Sequence, residues 1–258
     1  MPRTENGIHY EKFDGEGVPV IFIHGWTDSI NGWSKVKEHL DIDNPKIFYD
    51  QRCHGDSICT GFNMDKLAED LKQLIEEEEL NNPLLAGHSL GGMTALKYIS
   101  SFQNFSAVLL IGSPADTPEP VNENPRYFLE KLSEMDREKW AEKIVENYTG
   151  SQASRELKNS SQKLLEQTDE KTLRNGLEAM INYDVKNSLP SKVKAHVVGG
   201  RNDGAITEEK INETAELLNA EKTLLDSSHL MLQEKPEKIA ELITDFTDKN
   251  ISGDNKYR

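Results

Sequence analysis

Residues 83–92 read PLLAGHSLGG, and this stretch decides the fold of the chain. An apolar run leads into the pattern Gly-x-Ser-x-Gly, centred on Ser89, and small residues follow it. The run predicts a buried strand, the residues after it predict a helix, and the glycines allow a tight turn between the two. Such a turn exposes a serine hydroxyl that a neighbouring base can activate. Because the five-residue pattern also arises by chance, the remaining chain has to support this interpretation.

Short apolar runs recur along the chain and are separated by segments of helix length. The runs are Ile8–Phe13, Val20–Ile23, Ile47–Tyr49, Leu84–Ala86, Val108–Ile111, Val193–Val198 and Thr223–Leu225. The first run alternates loosely, as an edge strand does, whereas the others are continuous, as in strands buried on both faces of a parallel sheet. Apolar residues at helical spacing in 65–75, 207–218 and 238–246 predict helices between the runs. The sequence therefore predicts a doubly wound α/β fold with a mostly parallel sheet.

One interval, residues 115–190, interrupts this alternation because it shows no convincing strand. Amphipathic stretches at Tyr127–Leu132 and Trp140–Tyr148, and another around 173–181, predict helices there. The interval is far longer than a normal connection, so we expect a helical cap over the sheet; ordinary crossover helices are the alternative. The predicted parts are a core formed by residues 1–114 and 191–249, a cap or lid at 115–190 and a polar tail at 250–258.

Composition restricts the class of protein. The chain has 258 residues and a net charge of −15, which disfavours nucleic acid and anionic membranes as partners. No apolar run reaches the roughly 18 residues that suggest a membrane span. Residues 1–6 have no apolar stretch behind them, so we expect no signal peptide and a cytoplasmic location. Cys53 and Cys59 are then expected to be reduced thiols, and neither has the neighbours of a zinc site.

Three chemically reactive side chains follow strands of the predicted sheet. Ser89 follows one strand, Asp203 follows the Val193–Val198 strand, and His229 follows the last strand. Functional groups of open α/β sheets collect at the carboxyl ends of the strands. His229 would accept the Ser89 proton as a general base, and Asp203 would hold the required tautomer of His229. The chain order Ser, Asp, His is one of several that build a catalytic triad.

Other acids and histidines compete for these roles. Asp116 follows the preceding strand and is an alternative acid, whereas Asp226 lies only three residues before His229 and is poorly placed. His88 adjoins the serine, but a tight turn should point its side chain away from Ser89. His54 lies in an irregular loop and has no serine partner in the sequence.

A serine nucleophile also requires donors for the negative oxygen of the tetrahedral intermediate. The backbone N–H of Leu90, directly after Ser89, is one candidate. The backbone N–H of Trp26, which follows His24 and Gly25 at the end of a strand, is the other. We interpret His24 as a buried polar anchor that fixes this loop through hydrogen bonds.

With these residues in place, the chain resembles the α/β-hydrolase superfamily over about residues 8–246, in particular its lidded carboxylesterase-like serine hydrolases. His24-Gly25-Trp26 looks like the oxyanion turn of that family. DQRCHGDS at 50–57 looks like its D-x-R-G-x-G-x-S loop, with Cys53 and His54 replacing the Gly-x part. The family's placement of the acid after the strand before last supports Asp203. A serine at the turn disfavours the dehalogenases and epoxide hydrolases, which use aspartate there, and no His-Gly-Gly-Gly motif of hormone-sensitive lipases is present.

The resemblance implies a hydrolase of small carboxylic esters or thioesters that works through an acyl-serine intermediate, with no cofactor and no metal. Trp26, Phe128 and Trp140 are candidate walls of its pocket, although core packing would also explain them. Three alternatives stay open: a C–C bond hydrolase, a cofactor-free haloperoxidase-like enzyme and a non-catalytic relative that only binds a ligand. The sequence leaves the natural substrate and the oligomeric state open.

Overall fold

A computed structural model describes residues 2–118, 125–149 and 153–251 of the chain. Its centre is a seven-stranded sheet in the order β1-β3-β2-β4-β5-β6-β7. The strands are β1 Tyr10–Phe13, β2 Val20–Ile23, β3 Lys46–Tyr49, β4 Leu84–His88, β5 Ala107–Ile111, β6 Ala195–Gly200 and β7 Glu221–Leu225. Strand β1 pairs antiparallel with β3 at the edge, and all other pairs are parallel. The predicted fold class is confirmed.

Helices cover both faces of this sheet. They are α1 Ser34–Lys37, α2 Met64–Glu77, α3 Leu90–Ile99, α4 Pro125–Lys131, α5 Arg137–Thr149, α6 Arg155–Gln167, α7 Glu170–Ile181, α8 Glu208–Leu218, α9 Met231–Glu234 and α10 Pro236–Ile251, with a 3-10 helix at Ile30–Trp33. Polar side chains start several of them: Asn63 accepts from the Lys66 N–H at α2, and Thr207 accepts from the Lys210 N–H at α8.

The strands are continuously apolar because both faces of the sheet are buried. Ile21 and Ile23 of β2 face the layer that contains α2, α3 and α8. Val20 and Phe22 face the opposite layer, which is formed by α1, α9, α10 and the 3-10 helix. Alternate residues of one strand therefore enter different cores, and neither position tolerates a polar side chain without a partner.

Helices α4 to α7 lie between β5 and β6, and we call residues 125–181 the cap. Within it, α5 packs on α6 and α4 packs on α7. The chain enters and leaves the cap side by side, with a bridge between Asp116 and Asp184. Sequence periodicity predicts α4, α5 and α7 but misses α6.

The expectation of reduced thiols is wrong, because Cys53 and Cys59 form a disulfide. The loop after β3 folds back on itself, and the Cys53 N–H donates to the Ile58 carbonyl at 3.0 Å. This turn brings the two Cα atoms to 4.1 Å, within disulfide reach. The expectation had rested on the absence of a signal peptide, which carries no information about the shape of this loop.

At the carboxyl end, α10 continues to Ile251. The predicted polar tail at 250–258 therefore begins inside a helix, and its residues 252–258 lie outside the described part of the chain. Within the described residues, no helix combines the length and the apolar character that crossing a membrane requires.

Candidate active site

Ser89 occupies a sharp turn between β4 and α3. Its φ is 52° and its ψ is −120°, a combination that a non-glycine residue adopts only when its surroundings enforce it. Two neighbours must be glycine for this turn to pack. A Cβ on Gly87 would lie 2.5 Å from the Gly91 carbonyl oxygen, and a Cβ on Gly91 would overlap the Ile23 carbonyl of β2. The turn therefore makes the Ser89 side chain project from the edge of the sheet where the strands have their carboxyl ends.

The structure brings the three strand-end residues into one hydrogen-bonded chain. Ser89 Oγ lies 2.9 Å from His229 Nε2, and His229 Nδ1 lies 2.7 Å from Asp203 Oδ2. The other carboxylate oxygen, Asp203 Oδ1, accepts the N–H groups of Ala205 and Ile206, each at 2.9 Å. These two donors fix the carboxylate so that it orients the imidazole. The arrangement can move the Ser89 proton to His229 and stabilise the imidazolium that results.

The two predicted oxyanion donors flank Ser89. Leu90 is the first residue of α3, and its N–H lies at a helix N-terminus, where negative charge is favoured. Trp26 follows Gly25, and a Cβ on Gly25 would lie 3.3 Å from Ser89 Cβ. Among the described groups, neither N–H has a hydrogen-bond acceptor. Both donors therefore remain available to a ligand at Ser89.

His24 anchors the turn at Gly25 and Trp26, as its sequence position suggested. Its Nδ1 donates to the Gly25 carbonyl at 2.7 Å, and its Nε2 accepts the Gln51 N–H at 2.9 Å. Burial lowers the pKa of His24. The ring is therefore neutral, has both nitrogens occupied and plays a structural part.

His88 makes a contact that sequence reasoning missed. Its Nε2 donates to the His229 carbonyl at 3.0 Å. Burial, followed by the nearby His229 ring, lowers the pKa of His88 to about 3, so the ring stays neutral. His88 thus fixes the backbone of the loop that presents His229. Nothing in the sequence pattern signals this contact, because the partner lies 141 residues away.

The competing residues are engaged elsewhere. Asp116 binds the ammonium groups of Lys186 and Lys210 at 2.5 and 3.0 Å. Burial alone would raise the pKa of Asp116, but these two cations outweigh burial and lower it. Asp226 accepts a hydrogen bond from Asn202 Nδ2 at 2.9 Å. The alternative acids therefore do not reach His229.

His54 is buried beside the ring of His24. Its Nδ1 bonds the Arg52 carbonyl at 2.9 Å. Burial, followed by the His24 ring, lowers the pKa of His54 to about 3. His54 is therefore a neutral residue of the loop after β3. This fits the expectation from the sequence that it has no serine to activate.

Ser89 and His229 open into a cavity of about 520 Å³ between the core and the cap. Its walls are mostly apolar, with Phe128, Leu177 and Met180 from the cap and Trp26 from the core. Trp140, the third predicted wall residue, instead lies in the interior of the cap, where its Nε1 donates to the Phe128 carbonyl at 2.9 Å. Trp26 packs against α7, since a Cβ on Gly176 would overlap its indole ring.

The end of α5 touches the loops of both His229 and Asp203. The His229 N–H donates to the Tyr148 carbonyl at 3.1 Å, and the two rings are 6.0 Å apart. A Cβ on Gly204, the residue after Asp203, would overlap the Asn147 carbonyl. The end of α5 therefore contacts the loops of Asp203 and His229 directly.

Comparison with known proteins identifies the family of the chain. A family model for the alpha/beta hydrolase fold matches residues 18–236. The chain belongs to the alpha/beta hydrolase family. Among curated members, the AB hydrolase superfamily protein YisY of Bacillus subtilis is 28% identical over 253 residues, covering 90% of this chain and 92% of that protein.

Two further relatives carry names that refer to an activity. The non-heme chloroperoxidase CPO-A1 of Kitasatospora aureofaciens is 34% identical over 118 residues, which is 43% of each chain. An esterase from Exiguobacterium antarcticum superposes with a TM-score of 0.84 at 23% identity, covering 96% of this chain and 100% of that one. The fold is therefore shared by proteins whose names refer to different activities, and the activity of this chain has to be argued from its site.

Proposed function

We propose that the protein is a serine hydrolase that cleaves small carboxylic esters or thioesters through an acyl-serine intermediate. One observation carries the proposal: the unbroken hydrogen-bonded chain from Asp203 through His229 to Ser89. The apolar cavity at its open end supports a small organic substrate. In this proposal Ser89 is the nucleophile, His229 the general base and Asp203 the residue that orients the base.

In the acylation step, Ser89 Oγ attacks the carbonyl carbon while His229 Nε2 accepts its proton. The electron pair of the C=O bond moves to oxygen, where the N–H groups of Trp26 and Leu90 stabilise the negative charge. When the intermediate collapses, the bond to the leaving group breaks. His229 returns the proton to the leaving alcohol or thiol, and the acyl group remains on Ser89.

In the deacylation step, His229 removes a proton from water, and the hydroxide attacks the acyl carbon. The second tetrahedral intermediate expels Ser89 Oγ, which recovers its proton from His229, and the carboxylic acid leaves. Both halves of the cycle use the same base and the same oxyanion donors, so the chemistry needs no group beyond the residues named.

The test is hydrolysis of a p-nitrophenyl ester series by the wild type and by Ser89→Ala. We expect the variant to lose about 10⁴-fold or more in kcat. Ser101→Ala, an exposed serine at the end of α3, serves as the matched control and should retain the wild-type rate. Equal rates for wild type and Ser89→Ala would rule out the serine mechanism.

Covalent labelling separates the enzyme from a relative that only binds ligands. A fluorophosphonate should phosphonylate Ser89 Oγ and release fluoride, and His229→Ala should slow this reaction because the base is missing. A folded wild-type protein that gives no adduct at Ser89 would favour the binding protein.

A second candidate is a cofactor-free haloperoxidase-like activity, which the similarity to the Kitasatospora chloroperoxidase supports. Hydrogen peroxide would replace water in deacylation and release a peracid from acyl-Ser89. The peracid would then oxidise a halide to hypohalous acid and itself become the carboxylic acid. Halogenation of monochlorodimedone that requires both a carboxylic acid and peroxide, and that is lost in Ser89→Ala, would establish this activity.

The proposed cytoplasmic location has one observation against it. Cytosolic thiols are normally kept reduced, whereas Cys53 and Cys59 form a disulfide. Fractionation of cells that express the full chain, with thiol alkylation at lysis, would report the compartment and the redox state of this pair together.

A further inference from the structure

Asp28 places an acidic group in the wall of the cavity. It lies two residues after Trp26, and its own N–H donates to the Gly25 carbonyl at 3.4 Å, which closes the oxyanion turn. The carboxylate packs on Gly32 of the 3-10 helix, where a Cβ would overlap it. Its position is therefore fixed by the backbone on both sides, and the side chain lines the same cavity as Ser89.

This carboxylate has an incomplete set of partners. Oδ1 accepts the Ser29 N–H at 2.8 Å. Oδ2 accepts no hydrogen bond from any group in the described residues. Asp28 is half-buried, and this burial raises its pKa, because a carboxylate then loses part of its hydration without a compensating cation.

Within the described part of the chain, no cation compensates Asp28. His24 is close enough to interact with it, but that ring is neutral and both of its nitrogens are occupied. Asp50, the other charged neighbour, is itself an acid. Among the described residues that line the cavity, none is Lys, Arg or Glu. Among the described residues, the cavity wall therefore carries one acidic side chain and no Lys or Arg.

Aromatic rings share this cavity with the carboxylate. Trp26, Phe128 and Tyr148 all line it. Burial raises the pKa of Tyr148, and the charge of Asp28 adds to that effect, so the carboxylate and the phenol lie within electrostatic range. A carboxylate among aromatic rings, without a competing cation, is the chemistry that recognises an ammonium group.

We propose that Asp28 is a specificity-determining residue that selects esters carrying a positively charged ammonium group. This inference rests on the proposed function for its substrate chemistry. An ammonium group would supply the charge that the wall lacks. The net charge of −15 would steer cationic substrates toward the protein and repel anionic ones.

A matched pair of substrates tests this proposal. Butyrylcholine and its neutral tert-butyl analogue, in which carbon replaces the ammonium nitrogen, have the same shape and leaving-group oxygen. We expect wild-type kcat/KM to favour butyrylcholine by about tenfold or more, measured at constant pH by titration of the released acid. Asp28→Asn should remove this preference, and added salt should weaken it in the wild type.

Asp245→Asn is the control, because it deletes the same charge from the exposed face of α10 and should keep the wild-type ratio. The ratio compares two substrates on the same protein preparation. Partial misfolding of a variant lowers both kcat/KM values by the same factor and therefore leaves the ratio unchanged. A wild-type ratio near one, or a ratio that Asp28→Asn leaves intact, would overturn the inference while leaving the serine mechanism standing.

Binding provides a readout that does not depend on catalysis. On a Ser89→Ala background, calorimetry should show tighter binding of butyrylcholine than of its neutral analogue, and adding Asp28→Asn should remove the difference. Equal affinities on the Ser89→Ala background would contradict the role of Asp28. Failure of the proposed function would appear differently, as an absence of Ser89-dependent hydrolysis of either ester.

Discussion

Two buried Asp–His pairs in the described chain have nearly the same local chemistry and different surroundings. Asp203 meets His229 Nδ1 at 2.7 Å, and Asp50 meets His9 Nδ1 at 2.7 Å. Each carboxylate also accepts two backbone N–H groups, and for Asp50 these come from Ile30 and Asp56. The pairs differ at the far nitrogen of the ring. His229 Nε2 reaches Ser89 and the cavity, whereas His9 Nε2 is buried and has no partner in the described residues.

An Asp–His pair by itself therefore does not define a reactive site. The Asp50 pair joins the residue before β1 to the residue after β3, so its energy contributes to stability. The Asp203 pair is also hydrogen-bonded to the Ser89 hydroxyl, which faces a cavity. The same kind of pair can therefore act on a ligand through Ser89. Variants at equivalent positions of the two pairs should therefore separate activity from stability.

The largest difference is expected between the two histidines. His229→Ala should lower kcat for a p-nitrophenyl ester by about 10⁴-fold or more, because the base is lost. His9→Ala should leave kcat nearly unchanged. Steady-state kinetics on both variants, with circular dichroism to verify folding, checks this expectation. A large loss of kcat in a folded His9→Ala protein would give the second pair a part in catalysis.

The two aspartates should separate in stability. Asp50→Asn removes a charged acceptor from the N–H groups of Ile30 and Asp56 and from His9. We expect the free energy of unfolding to fall by about 2–3 kcal/mol, measured by urea denaturation. Asp203→Asn should instead act mainly on kcat, because the amide no longer fixes the tautomer of His229.

The pH dependence of stability should identify the Asp50 contribution. Burial alone would raise the pKa of Asp50, but the N–H groups of Asp56 and Ile30 and the ring of His9 lower it. The unfolded chain then binds the proton more tightly, so the stabilisation is complete above the unfolded pKa of about 3.9 and is lost as pH falls through the folded pKa. The difference between wild type and Asp50→Asn should therefore shrink in acid, and a constant difference would contradict this account.

The smallest effect concerns the disulfide beside the Asp50 pair. Cys53 and Cys59 are six residues apart, and a cross-link of that loop length contributes about 2 kcal/mol by limiting the unfolded chain. Cys53→Ser with Cys59→Ser should lose this amount in urea denaturation while kcat is retained. Wild type in reducing agent is the control and should match the double variant. Two titratable thiols in unreduced, denatured wild type would contradict the disulfide.

The residues of the candidate triad could be predicted because parallel strands place their carboxyl ends at one edge of the sheet. Ser89, Asp203 and His229 each follow one of three strands within a few residues, and the structure brings those side chains together. Trp26 and Leu90 are found by the same rule, since both stand close behind a strand end. Their catalytic roles remain predictions for the experiments above.

The other contacts could not be predicted because they depend on how distant loops fold over one another. The bond from His88 to the His229 carbonyl and the disulfide of Cys53 carry no local pattern. Asp28 reads as an ordinary turn residue until the cavity beside it is known. Trp140 is a large aromatic residue of the kind that lines pockets, yet it packs inside the cap. Helical spacing predicts the face of the helix on which a side chain lies, but it does not predict which element packs against that face.

The bond from the His229 N–H to the Tyr148 carbonyl limits how the cap could be exchanged between relatives. A cap grafted from another protein would have to place a hydrogen-bond acceptor at the same point. Otherwise the His229 N–H would be buried without an acceptor, which costs about 1–3 kcal/mol of stability. It would also have to leave room beside Gly204, where the Asn147 carbonyl now packs. The cap and the core are therefore in contact at the loops that carry His229 and Asp203. A chimera designed as two independent modules would displace His229 even in the absence of substrate.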